Sequence, residues 1–167
     1  MKTKKNVVMV AVMLLSIGFT SCKKGDTGEP GKDGNANVTS MTLSSPSWAW
    51  DASNYWRKSI WTGASILTSD VASSGSVMLY QNTSGVYVAL PLAVNYTGTV
   101  QEHDWFTYST GIVNVYVENS DLSDPIAQIP SSVTYKLVCI PKSGMITHPG
   151  VDLRNYEQVK KAFDIKD

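Results

Sequence analysis

Between residues 38 and 140 apolar side chains recur at every second position in short runs, and turn-forming residues separate the runs. A period of two places alternate side chains on opposite faces of an extended strand. Val113, Val115 and Val117 alternate with Asn114, Tyr116 and Glu118 in this way. Two pairs of runs read as hairpins. Residues 76–81 and 86–94 flank Asn82-Thr83-Ser84-Gly85, and residues 99–109 and 112–118 flank Thr110-Gly111. In the second arm of the first hairpin, Val86, Val88, Leu90, Leu92 and Val94 share a face, and Pro91 marks an edge position or a bulge. A strand over 38–43 precedes Pro46. Another over 55–61 sets Trp56, Lys58 and Ile60 on one face and Tyr55, Arg57, Ser59 and Trp61 on the other. The last strong strand covers 133–140. This pattern predicts a mainly β chain, a sandwich of about seven or more antiparallel strands.

Helical signals are few. Residues 69–75 read as one or two turns, started by Thr68 or Ser69 and ended by Gly75. Residues 119–132 and 141–150 read as loops. At the end of the chain Leu153, Tyr156, Val159 and Phe163 recur at helical spacing, with Asp152 or Asn155 as the cap. Asn155 followed by Gln158 fits a capping-box variant. The spacing predicts a short C-terminal helix that docks one apolar stripe on the sheet.

The N-terminus has another character. Lys2, Lys4 and Lys5 precede an apolar run over 7–15 that is too short to span a membrane, which takes roughly 20 residues. A basic start, a short apolar run and small residues before a cut site describe a signal peptide over 1–21. The segment Phe19-Thr20-Ser21-Cys22 resembles the bacterial lipobox, although Phe19 stands where an aliphatic residue is usual. The resemblance implies that Cys22 is acylated, by palmitate-class chains, and becomes the new N-terminus. The alternative is a plain signal peptide with an incidental cysteine. Several acyl chains would hold the protein stably, at about 0.8 kcal/mol per buried methylene.

Residues 22–37 then form a spacer. Gly25, Gly28, Gly31 and Gly34 open four successive triplets, the collagen register. Twelve residues in the polyproline form reach about 37 Å. Four triplets with one proline gain little against the cost of ordering three chains, so the expected state is a monomer with a polar tether. Residues 38–167 form the β-sandwich domain. The tether, the Asn35-Ala36-Asn37-Val38 junction and the closing stretch over 152–161 together are similar to Bacteroidota lipoproteins with a collagen-like tether and a β-rich domain. That resemblance implies an outer-membrane lipoprotein facing the periplasm or the cell surface, and it transfers no catalytic residue.

Without residues 1–21 the chain carries 11 basic and 14 acidic side chains, a net charge of −3. No nucleic-acid footprint is present. With Cys22 acylated, Cys139 reads as a small buried hydrophobe. No lysine or arginine lies between Lys58 and Lys136, a span that holds six acids. Within it Glu118, Asp121 and Asp124 offer oxygen ligands for Ca²⁺ but lack the spacing of a dedicated loop, so a solvated acidic loop is the expectation. Glu102 and Asp104 share one face of a strand and His103 takes the other. No catalytic motif and no cofactor-binding motif occurs, and no enzyme activity is expected. Trp48, Trp50, Trp56 and Trp61 either fill the core or form an aromatic platform for a sugar. The sequence therefore supports a membrane-held domain with a structural or protein-interaction role, and a glycan-binding module as the alternative.

Overall fold

The computed structural model describes residues 37–166, all within one compact unit, Asp33–Asp167. The signal peptide, Cys22 and the glycine triplets lie outside the described residues. The described residues form nine strands. These are β1 (Thr39–Leu43), β2 (Ala49–Asp51), β3 (Trp56–Ala64), β4 (Ser76–Thr83), β5 (Val86–Ala89), β6 (Leu92–Thr97), β7 (Val100–Ser109), β8 (Gly111–Asn119) and β9 (Thr134–Ile140). One sheet runs β1-β9-β4-β5 and the other β2-β3-β8-β7-β6, with every pairing antiparallel.

The expected alternation builds the core. Leu79, Tyr135, Leu137 and Cys139 from the four-stranded sheet meet Val113 and Val115 from the five-stranded sheet in one buried cluster. The opposite face of the four-stranded sheet is also covered. Tyr80, Val138 and Ile140 point outward there, against Tyr156, Val159 and Phe163. Those three belong to the C-terminal helix, Tyr156–Phe163, which is the third of three short helices among the described residues and is called α3. Asn155 caps it by accepting from Gln158 N at 3.1 Å. Gln158 does not close a box with Asn155; its Oε1 accepts from Asp152 N at 3.3 Å. The sandwich with a docked terminal helix thus stands as the alternating and helical spacings predict.

Helix α1 (Ser69–Ser74) carries its predicted caps, with Thr68 Oγ1 accepting from Val71 N at 3.3 Å. Gly75 lies so close to β9 that a Cβ there would meet the Ile140 carbonyl oxygen at 2.6 Å. Three details depart from the sequence reading. The single strand expected over 86–94 is two strands in different sheets, because the ladder ends at Leu90, whose N–H donates to Leu79 O at 2.9 Å. Pro91 has no N–H to continue it. Val86 and Val88 are exposed, and Tyr87 and Ala89 turn towards α3 instead. The loop over 141–150 contains helix α2 (Lys142–Thr147), which buries only Gly144 and so shows no apolar stripe in the sequence. The loop over 119–132 contains a 3₁₀ turn, Pro125–Ala127.

Candidate functional site

The outer face of the five-stranded sheet has no covering helix among the described residues. Register determines what it displays. Lys58 on β3 sits opposite Tyr116 on β8, and Tyr116 sits opposite Trp105 on β7. The row before it runs Trp56, Glu118 and His103, and the row after it runs Ile60, Asn114 and Thr107. Trp56, Trp105 and Tyr116 are half-buried, and Ile60 is 53% exposed. Cross-strand aromatic neighbours lie close enough to interact directly.

The rings are ordered by one another. Tyr116 and Trp105 stack with centroids 5.3 Å apart and planes within 8°. The Lys58 ammonium lies 5.3 Å from the Tyr116 centroid. Trp56 meets both rings edge-on, at 5.7 Å from Trp105 and 5.3 Å from Tyr116. Such geometry follows the quadrupole of each ring. Around the cluster stand polar groups. His103 Nδ1 is 3.6 Å from Glu118 Oε1, and Asn114 Nδ2 donates to Thr107 Oγ1 at 3.2 Å. The face therefore combines flat apolar surface with hydroxyl, amide, carboxylate, imidazole and ammonium groups.

The four tryptophans singled out from the sequence do not come together. Trp61 faces inward and packs edge-on against Tyr135 at 5.6 Å, donating to Ser44 O at 3.2 Å. Trp48 packs on the same core. Trp50 lies under the Arg57 guanidinium, 5.8 Å from its centroid. Trp56 alone reaches the outer face, where its companions are Trp105 and Tyr116. Alternation from Trp56, Lys58 and Ile60 was legible; that Trp105 and Tyr116 stand beside Trp56 depends on strand pairing, which spacing alone does not give.

The acidic trio separates too. Glu118 stands on the outer face. Asp121 closes a local turn by accepting from Ser123 N and Oγ at 3.0 and 2.6 Å. Asp124 takes a two-pronged ion pair from Arg57, with Nε at 2.8 Å and Nη2 at 2.5 Å, and caps the 3₁₀ turn through Ile126 N at 3.0 Å. Bonds to Arg57 and Ile126 favour the charged form of Asp124 and hold its carboxyl below the usual range. No cluster of three or more His, Cys, Asp or Glu side chains that could hold a metal ion occurs among the described residues.

Glu102 and Asp104 share one face of β7 as alternation requires, and that face is the inner one, where they are 5% and 2% exposed. Burial pushes Glu102 up to about 7. Burial and the nearby Glu102 charge push Asp104 up to about 8. Cys139 is a free buried thiol, pushed up to about 11 by burial, so it is no nucleophile at neutral pH. No helix among the described residues is long and apolar enough to cross a membrane. No protein-family profile, no curated protein and no solved structure matches the chain.

Proposed function

We propose that the chain is a lipid-anchored envelope protein whose sandwich is a non-enzymatic binding domain, and that its ligand is a glycan chain. The observation that carries this reading is the half-exposed Trp56–Trp105–Tyr116 cluster on a sheet face that no helix among the described residues covers. Pyranose rings present a C–H face that stacks on aromatic surface, and hydroxyls around their rim that hydrogen-bond to groups such as Glu118, Asn114, Lys58 and His103. Three strands at about 4.8 Å spacing and five residues at about 3.3 Å rise give a patch roughly 10 by 13 Å, the span of two or three sugar rings. Anchorage rests on Cys22, and the glycine-triplet spacer would hold the face away from the lipid.

The test is a glycan array followed by titration of the full chain in detergent. Trp56→Ala and Trp105→Ala should each weaken binding at least tenfold. Val86→Ala, exposed on the other sheet, should leave it unchanged. Absence of binding across plant, host and bacterial glycans would sink the glycan reading, as would binding indifferent to both tryptophans.

A further inference from the structure

The inner face of the five-stranded sheet turns polar at one end. Glu102 and Asp104 lie two residues apart on β7, so both enter the sandwich with Cα atoms about 6.6 Å apart. Asn119 on β8 is in register with Glu102, at the same depth. Tyr135 enters from β9 in the facing sheet, and its hydroxyl lies within the field of both carboxylates. Tyr96 on β6 feels the same two charges and donates its hydroxyl to Gln128 O at 2.8 Å, which places Gln128 at this end as well.

Five of these residues each hold a buried polar atom that no described residue satisfies. Glu102 Oε2, Asp104 Oδ1, Asn119 Oδ1, Gln128 Oε1 and the Tyr135 hydroxyl are all buried, and none has a hydrogen-bond partner among the described residues. A buried polar atom left so costs stability, and a buried carboxylate costs more. No cation among the described residues compensates. Both arms of Arg57 are engaged by Asp124, and Lys136 points to the other side of its sheet, donating to Lys166 O at 2.8 Å. The donor set is two carboxylates, two amide oxygens and a phenol, with neither nitrogen nor sulfur. Hard oxygen donors of this kind suit Ca²⁺, which takes six to eight of them and accepts irregular geometry.

We propose that Glu102, Asp104 and Asn119 bind a divalent cation of the calcium class, with Gln128 and the Tyr135 hydroxyl adding to its oxygen shell. The cation neutralises the paired carboxylates and joins β7 and β8 to β9 across the sandwich. Only two acids contribute, so amide oxygens are essential to the site. Its ligands are other than Glu118, Asp121 and Asp124, although Asn119 Nδ2 donates to Ser123 Oγ at 3.0 Å and that hydroxyl donates to Asp121.

The experiment uses the full chain in detergent, stripped with chelator and titrated with Ca²⁺ while thermal unfolding is followed. Tb³⁺ luminescence, sensitised by Tyr135 and Trp61, reports occupancy directly. Saturating Ca²⁺ should raise Tm by at least 5 °C, and Glu102→Gln and Asp104→Asn should abolish both the shift and the luminescence. Glu118→Gln and Asp121→Asn should retain them. Tyr135→Phe keeps the buried ring, folds, and should weaken binding several-fold. Should the carboxylate variants fail to fold, the wild-type titration and Tyr135→Phe still decide. No shift and no luminescence at millimolar metal would overturn the proposal, as would a response lost in Asp121→Asn but kept in Glu102→Gln.

Discussion

Stripped of cations, the domain should lose stability as pH rises from 5 to 7. In the unfolded chain Glu102 and Asp104 ionise near their ordinary values of 4.5 and 3.8; in the fold they ionise near 7 and 8. Over that window the native state holds between one and two protons more than the unfolded state. Stability changes with pH in proportion to protons bound unfolded minus protons bound native, which is negative here, so stability falls. Each retained proton contributes about 1.4 kcal/mol per pH unit. Two pH units therefore remove about 3–5 kcal/mol, a large share of the 5–15 kcal/mol typical of a domain. The loss should level off above pH 8. The two carboxyls sense each other, so the curve belongs to the pair and not to either residue. Urea titrations followed by tryptophan fluorescence at pH 5, 6, 7 and 8 in EDTA measure it. Asp104→Asn should raise stability at pH 8 and shallow the slope, and the double variant E102Q/D104N should flatten it. A level or rising wild-type profile would refute the reasoning. A slope that persists in the double variant would move its origin to other groups.

The docked helix and the anchor give two further expectations. Phe163→Ala, which removes a ring 1% exposed beneath α3, should cost about 3–5 kcal/mol by denaturant unfolding, while Lys161→Ala should stay within about 0.5 kcal/mol; equal effects would mean that α3 is not held by its apolar stripe. Cys22→Ala should move the protein from the membrane to the soluble fraction and abolish metabolic palmitate labelling with its circular dichroism unchanged, and label persisting on the variant would place the attachment elsewhere.

Periodicity made most of the sandwich legible. The valines of β8 and the stripe Tyr156, Val159 and Phe163 each report burial directly, because one face of each element is dry and the other wet. Signals failed where the local pattern continued through a change of partner. Val86 to Val94 alternates without interruption, yet Pro91 divides it between two sheets. Helix α2 buries a single glycine and carries no stripe to detect. The tryptophans were conspicuous, but their grouping follows cross-strand register, which places Trp105 and Tyr116 beside Trp56 and sends Trp61 into the core. Alternation alone puts Glu102 and Asp104 on one face, where the structure has them. That this face is the interior was masked by His103 and Trp105, which make the outward positions of β7 no more polar than the inward ones.

Strand β1 has one neighbour, β9, over five residues, and Val38 just ahead of it is buried with Ile165 and Phe163 beyond the sheet. Lys136 of β9 donates to Lys166 O at 2.8 Å in the same region. The first strand and the last residues of the chain thus form a clasp. Any pull on the chain ahead of Val38 is borne by an edge strand in one sheet, while the aromatic face lies on the other. Force between the two must pass through β1, its clasp and the shared core. The C-terminal segment, remote in sequence from the proposed anchor at Cys22, is then the part that would keep the domain from being peeled open under tension.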